Sequence, residues 1–158
     1  MLWKQVCENP HLQNLPFKIE TNKWGKLVMS PARNKHGVFQ VEISYQLKGL
    51  KKEGKVATEC AIQTKEGIKV SDVVWYSDEI AEKNEEAYAL EECPEICIEI
   101  LSPGNSFEEM EEKKEIYFDL GAKECWICEV NGTMRFYYKK GIMKNSVLFP
   151  EFPPLIKY

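Results

Sequence analysis

The chain has 158 residues, 44% hydrophobic and 29% charged, with a formal net charge of −4. That size and balance suit one globular domain spanning residues 1–158, with residues 1–14 as a lead-in, and argue against disorder. A negative balance excludes a protein that coats nucleic acid nonspecifically, but not an enzyme that grips a phosphate backbone through a local patch such as Arg33 with Lys35. No apolar run approaches the roughly 18 residues of a membrane span, and residues 1–8 lack a signal-peptide core. A cytoplasmic protein with no membrane partner is therefore expected.

In chain order, residues 17–20 and 26–29 read as short strands around a turn at Asn22 to Gly25. Ser30-Pro31 breaks the chain, and a helix follows over 34–50 with Val38, Val41, Tyr45 and Leu47 as its apolar face. Residues 55–64 alternate like a strand, Lys65-Glu66-Gly67 turns, and 68–76 give a second strand. The acidic stretch 77–92 is expected as a surface excursion, with a short helix as the alternative. A strand over 95–101 precedes the clearest helix, 106–121, with Ser106 as N-cap, four glutamates near its start and Gly121 as its stop. Asn131-Gly132 joins strands at 124–130 and 133–139 in a hairpin, and a proline-rich tail closes the chain. Strands and helices in this order predict an α/β or α+β mixed sheet.

Glu99 is the most informative residue. It lies inside the apolar run Ile96-Cys97-Ile98-Glu99-Ile100-Leu101, where a carboxylate is costly to bury unless it is paired or binds a metal. Asp72 opens a second such run, Asp72-Val73-Val74-Trp75-Tyr76. Hydrolysis of a phosphodiester calls for hard cations, and magnesium favours one or two carboxylates from rigid elements. A nearby lysine would stabilise developing charge. On the 106–121 helix, Phe107, Met110, Tyr117 and Gly121 cluster on one face, and both Lys113 and Lys114 fall within about 60° of its centre. Periodicity does not choose between them.

Other chemistries are poorly supplied. Histidine occurs only at His11 and His36, and the chain contains no glycine-rich phosphate loop. The six cysteines include Cys125-Trp126-Ile127-Cys128, which with Cys93 and Cys97 would make a four-thiolate zinc site. Residues three apart on a strand point to opposite faces, however, so the cysteines are expected to be reduced and metal-free.

Ser71-Asp72-Val73-Val74, the segment Pro94 to Pro103, Glu112-Lys113-Lys114-Glu115-Ile116-Tyr117 and Gly121 to Ile127 together resemble the Uma-type family of restriction-endonuclease-like proteins. The likeness reaches upstream through Lys18-Ile19-Glu20, Gly25 to Pro31 and His36, and covers about residues 15–140. It implies the PD-(D/E)XK nuclease fold, an α/β restriction-endonuclease-like mixed sheet flanked by helices. It also implies that Asp72 and Glu99 are metal ligands and that Glu20 is an auxiliary acid. The superfamily's usual lysine position is held by Leu101. The lysine is then implied on the helix, where the Lys-x-x-x-Tyr spacing to Tyr117 selects Lys113. Ser71 stands where proline is usual.

The expected function is a magnesium- or manganese-dependent DNA endonuclease acting through a metal-activated water, homodimeric if it cuts duplexes. The rival expectation is a catalytically silent binding or regulatory module that keeps the fold.

Overall fold

The computed structural model describes residues 2–31 and 33–158. In chain order its elements are α1 (Trp3–Glu8), β1 (Phe17–Thr21), β2 (Leu27–Pro31), α2 (Asn34–Leu50), β3 (Lys55–Thr64), β4 (Gly67–Tyr76) and α3 (Asp78–Lys83). The second half holds β5 (Ile96–Ile100), α4 (Phe107–Leu120), β6 (Glu124–Cys128), β7 (Met134–Tyr138) and β8 (Gly141–Met143). Strands β3 to β8 form one six-stranded sheet in sequential order, and β1 with β2 makes a separate hairpin. All neighbours in the large sheet are antiparallel except β5 and β6, which run parallel because α4 carries the chain back between them.

The two long helices, α2 and α4, each cover one face of this sheet. Phe39, Ile43 and Leu47 of α2 pack with Val73, Ile96, Ile98, Trp126 and Phe136 on one side. Tyr117 and Phe118 of α4 pack with Val74, Cys97 and Cys125 on the other. The face expected for α2 is thus corrected: Leu47 is buried, but Val41 and Tyr45 are 65% and 72% exposed. Two stripes with similar spacing run along this helix, and the sheet selects the one with the phenylalanine and isoleucine. In α4 the expected Met110 and Tyr117 are buried, whereas Phe107 is 71% exposed at the first turn. A capping box closes that turn, with Ser106 Oγ accepting the Glu109 N–H and the Glu109 carboxylate accepting the Ser106 N–H. The acidic stretch after β4 is not simply an excursion. Ser77 caps α3, and Leu90 returns to β3, where it exchanges backbone hydrogen bonds with Ala61 and Gln63 at 2.9 Å each.

The sheet opens where β4 and β5 part. Their ladder runs through Trp75↔Ile96, Val74↔Cys97 and Val73↔Ile98, so Asp72 and Glu99 stand opposite one another one step beyond the last pair. Past this point β4 keeps β3 on one side only, and the side chains of β1 satisfy its other edge. Thr21 Oγ1 accepts the Ile68 N–H at 2.7 Å, and Glu20 Oε1 accepts the Val70 N–H at 2.8 Å. On the facing strand Asp72 Oδ2 accepts the Ile100 N–H at 2.7 Å. Side-chain oxygens thus replace ladder carbonyls, and the two strands are held apart as a fork. Glu59, opposite Asp72 in the β3–β4 register, takes φ +50°, an uncommon conformation for a residue with a side chain.

The tail is part of the core. Phe149, Phe152 and Ile156 are buried against Trp126 and Phe136. Gly132, at φ +92°, lets the β6–β7 turn approach the Ile156 carbonyl so closely that a β-carbon would collide with it. Buried Glu124 ties the tail to β6: its carboxylate accepts from Trp126 Nε1 and Ser146 Oγ at 2.7 Å, and from the Val147 and Leu148 N–H groups at 2.8 and 3.0 Å. Glu124→Ala leaves these donors without an acceptor and is expected to lower stability by about 3 kcal/mol or more. Glu124→Gln, which retains one oxygen, should cost less. Chemical denaturation of the two variants checks both the size and the order of the effect.

Candidate active site

Five charged side chains meet at the fork. Asp72 and Glu99, only 2% and 6% exposed, stand opposite one another on the neighbouring strands β4 and β5. Glu99 Oε1 accepts from the Tyr117 hydroxyl at 2.8 Å, and Oε2 lies 3.1 Å from Lys113 Nζ. Tyr117 and Lys113 are four residues apart on α4, so one helix face delivers both to the same carboxylate. Lys113 Nζ also reaches Glu20 Oε1 at 2.9 Å. Lys18, two residues before Glu20 and on the same side of β1, hydrogen-bonds Asp72 Oδ1 and lies 3.8 Å from Glu99 Oε2. From α2, His36 Nε2 comes within 3.2 Å of Asp72 Oδ1. One turn on, Gln40 Nε2 donates to Glu59 Oε1 and to the Asp72 carbonyl.

Asp72, Glu99, Lys113 and Glu20 all come together in one cluster. Lys114 instead pairs with Glu111 at 2.8 Å and sits over the Tyr137 ring. Lys18, His36 and Tyr117, none of them among the expected site residues, join the cluster as well. The signal for Lys18 was its i, i+2 relation to Glu20. All six cysteines are free thiols. Cys128 faces the α2 side while Cys93, Cys97 and Cys125 face α4, so those four cannot share one ion. Burial pushes the Cys60 and Cys128 thiols up to about 12, which leaves neither a ready nucleophile.

The electrostatics separate the two central acids. Burial would raise the Asp72 carboxyl, but the His36 hydrogen bond and the Lys18 charge hold it well below the ordinary carboxylate range. Burial dominates at Glu99 and raises its carboxyl despite the pull of Lys113 and Lys18. Glu20 resists its own burial and is lowered by Lys113 and Lys18. Both ammoniums are desolvated, yet the acids raise them: Glu99 and Glu20 act on Lys113, and Glu99 and Asp72 on Lys18. The cluster is thus a network of anions and charged ammoniums in a low-dielectric pocket.

Its donor set suits a hard cation. Asp72 Oδ1 and Glu99 Oε2 converge on one cationic atom, Lys18 Nζ, while Asp72 Oδ2 and Glu99 Oε1 are committed elsewhere. Beside them His36, Glu59 and Asp72 each offer a ligating atom within 4.8 Å of the others. Carboxylate oxygens with one imidazole fit magnesium or manganese better than a soft metal.

A mixed six-stranded sheet with a helix on each face, forked around acids and lysines, defines a protein of nuclease-like fold. The chain belongs to the Uma2 family, described as "Putative restriction endonuclease", which matches residues 10–150. Among solved structures it is similar to "a putative nuclease belonging to DUF820" from Anabaena variabilis ATCC 29413. That likeness has a TM-score of 0.72 and 18% identity, and covers 90% of this chain and 83% of the other. At such identity it speaks for the fold. No curated protein matches the chain. No helix among the described residues is long and apolar enough to cross a membrane.

His36 gives the site a pH signature. The Asp72 hydrogen bond raises the imidazole against the opposing effect of burial. A raised folded-state value means that the histidine's contribution to stability is complete below its unfolded value of about 6.5 and is lost as pH climbs through the folded one. In EDTA, the difference in melting temperature between the wild type and His36→Gln should therefore shrink from about pH 6 to about pH 9. A difference that grows over this interval contradicts the assignment.

Proposed function

We propose that the protein is a divalent-metal-dependent DNA endonuclease that hydrolyses phosphodiester bonds, with Asp72 and Glu99 as ligands for magnesium or manganese. The observation that carries this reading is the convergence of Asp72 Oδ1 and Glu99 Oε2 on a single cationic position at the fork. When bound there, the ion supplies charge neutralisation at the phosphate and a more acidic water. The chain's own groups do the rest. Tyr117 and the Ile100 N–H each engage one oxygen of a carboxylate and so aim the other. Lys113, held between Glu20 and Glu99, presents an ammonium that stabilises negative charge developing on the phosphate. Glu20 is the auxiliary acid that keeps Lys113 charged and aimed. Arg33 and Lys35, at the start of α2 close to His36, provide a basic approach for the backbone of a DNA strand. We place the enzyme in the cytoplasm and as a homodimer, because one such site attacks one strand at a time.

The silent-module reading draws on one observation. Each carboxylate at the fork already has an ammonium within 4.0 Å, so the cluster is electrostatically complete as a structural ion network.

Nicking of supercoiled plasmid separates the two. With magnesium or manganese the wild type should nick DNA, and Asp72→Asn and Glu99→Gln should abolish the activity and weaken metal binding. Lys113→Ala should slow turnover by roughly 10²- to 10³-fold while disturbing metal binding less. Circular dichroism checks that each variant is folded. A wild type that leaves plasmid, single-stranded DNA and RNA intact, and that binds neither metal near neutral pH, replaces the enzyme with the silent module.

A further inference from the structure

The two ammoniums at the fork have different positions. Lys113 stands on the helix side and joins Glu20 to Glu99. Lys18 lies between the two carboxylates that come from the parted strands, touching Asp72 Oδ1 and approaching Glu99 Oε2. The Ile100 N–H takes Asp72 Oδ2 and the Tyr117 hydroxyl takes Glu99 Oε1, so Lys18 bridges Asp72 Oδ1, which also meets His36 Nε2 at 3.2 Å, and Glu99 Oε2, which also meets Lys113 Nζ at 3.1 Å. Among the described residues Lys18 Nζ is the ammonium that lies within 4.0 Å of both Asp72 and Glu99, and it holds the cationic position between them.

We propose that Lys18 is a resident counter-ion of the metal-free protein, seated where a divalent cation binds and displaced from Asp72 and Glu99 when that cation arrives. The inference rests on the metal reading of these two acids given above. A divalent cation bridging Asp72 Oδ1 and Glu99 Oε2 needs the space that Lys18 Nζ holds, and like charges repel strongly at that range, so occupancy by the lysine and by the metal is mutually exclusive. A lysine suits such a place because its point charge rides on a flexible four-carbon stem, whereas a planar guanidinium would lock both carboxylates. The stem starts on β1, which is outside the six-stranded sheet, so the ammonium can leave without breaking a ladder of the main sheet. Lys18 is in this sense a positioning residue. It keeps Asp72 and Glu99 ionised and close together while no metal is present, and it sets the metal concentration at which the site fills.

Competition of this kind is read directly by metal affinity. Calorimetric titration of Mn²⁺ into wild type, Lys18→Met and Lys18→Gln, with Asp72→Asn as the ligand-loss control, should show the two Lys18 variants binding roughly 5- to 100-fold more tightly than wild type, the usual range of coupling between linked ligands. The wild type supplies a second readout that needs no variant to fold. Acetic anhydride labelling of Lys18, resolved by peptide mass spectrometry, should rise on addition of Mg²⁺ to saturation. Equal or weaker manganese binding by the folded Lys18 variants overturns the displacement and leaves the metal reading standing. So does Lys18 labelling that is unchanged in metal-saturated protein. If neither wild type nor Lys18 variants bind manganese, both the displacement and the metal reading fail.

Discussion

A carboxylate placed in the middle of an apolar sheet must be answered by charge, and this requirement organises the molecule around the β4–β5 fork. Asp72 and Glu99 face each other immediately beyond the last ladder pair, and two anions cannot be left opposite one another in a buried pair of strands. The structure meets the demand in two ways. Backbone N–H groups that would have joined the ladder are turned onto side-chain oxygens of Thr21, Glu20 and Asp72. The remaining charge is balanced by ammoniums that arrive from β1 and α4. Removing either ammonium would strand an ionised oxygen, which is far more destabilising than never having had the pair.

Both long helices carry two adjacent stripes, one for packing and one for the fork. On α4, Phe118 goes into the core while Lys113 and Tyr117, one turn apart, reach Glu99. On α2, Phe39, Ile43 and Leu47 hold the opposite face while His36 and Gln40, again one turn apart, reach Asp72. The apolar stripe fixes the rotation of each helix, and that rotation aims the polar stripe. Geometry at the fork is therefore inherited from core packing, and loops contribute little to it. Glu59, within β3, adds a local distortion: its unusual backbone angle coincides with the Gln40 bridge that ties it to Asp72.

How much of this was legible in the sequence depended on range. Asp72 and Glu99 stand out because a single charge interrupts an apolar run, a local signal that needs no partner to be seen. Lys113 was half legible, since helical periodicity put two lysines on the same arc and only the spacing to Tyr117 chose one. Lys18 was barely legible: its one local cue is the i, i+2 relation to Glu20, while its partner lies 54 residues away and a lysine on a short, partly exposed strand looks like ordinary amphipathic alternation. The face of α2 failed for a related reason, as Val41 and Tyr45 compete with Phe39 and Ile43 at similar spacing and only the sheet decides between them. The tail was the least readable, because Glu124 recruits residues 146–148 over more than twenty positions and nothing local announces it. The hairpin at Asn131-Gly132 and the cap at Ser106 were legible because their chemistry is contained within four residues.

The rims of the sheet carry a last consequence, for self-association. An outer strand with free amides invites another chain to zip onto it. On β3 the stretch from Ala61 to Gln63 is already occupied by Leu90, and the kink at Glu59 interrupts the regular strand just beyond it. The opposite rim ends in β8, only three residues long. Neither border offers the long flat template that edge-to-edge pairing and fibrous growth require. A symmetric pair of these chains is therefore directed away from the two rims of the six-stranded sheet, toward helices, loops or the exposed hairpin strand β2.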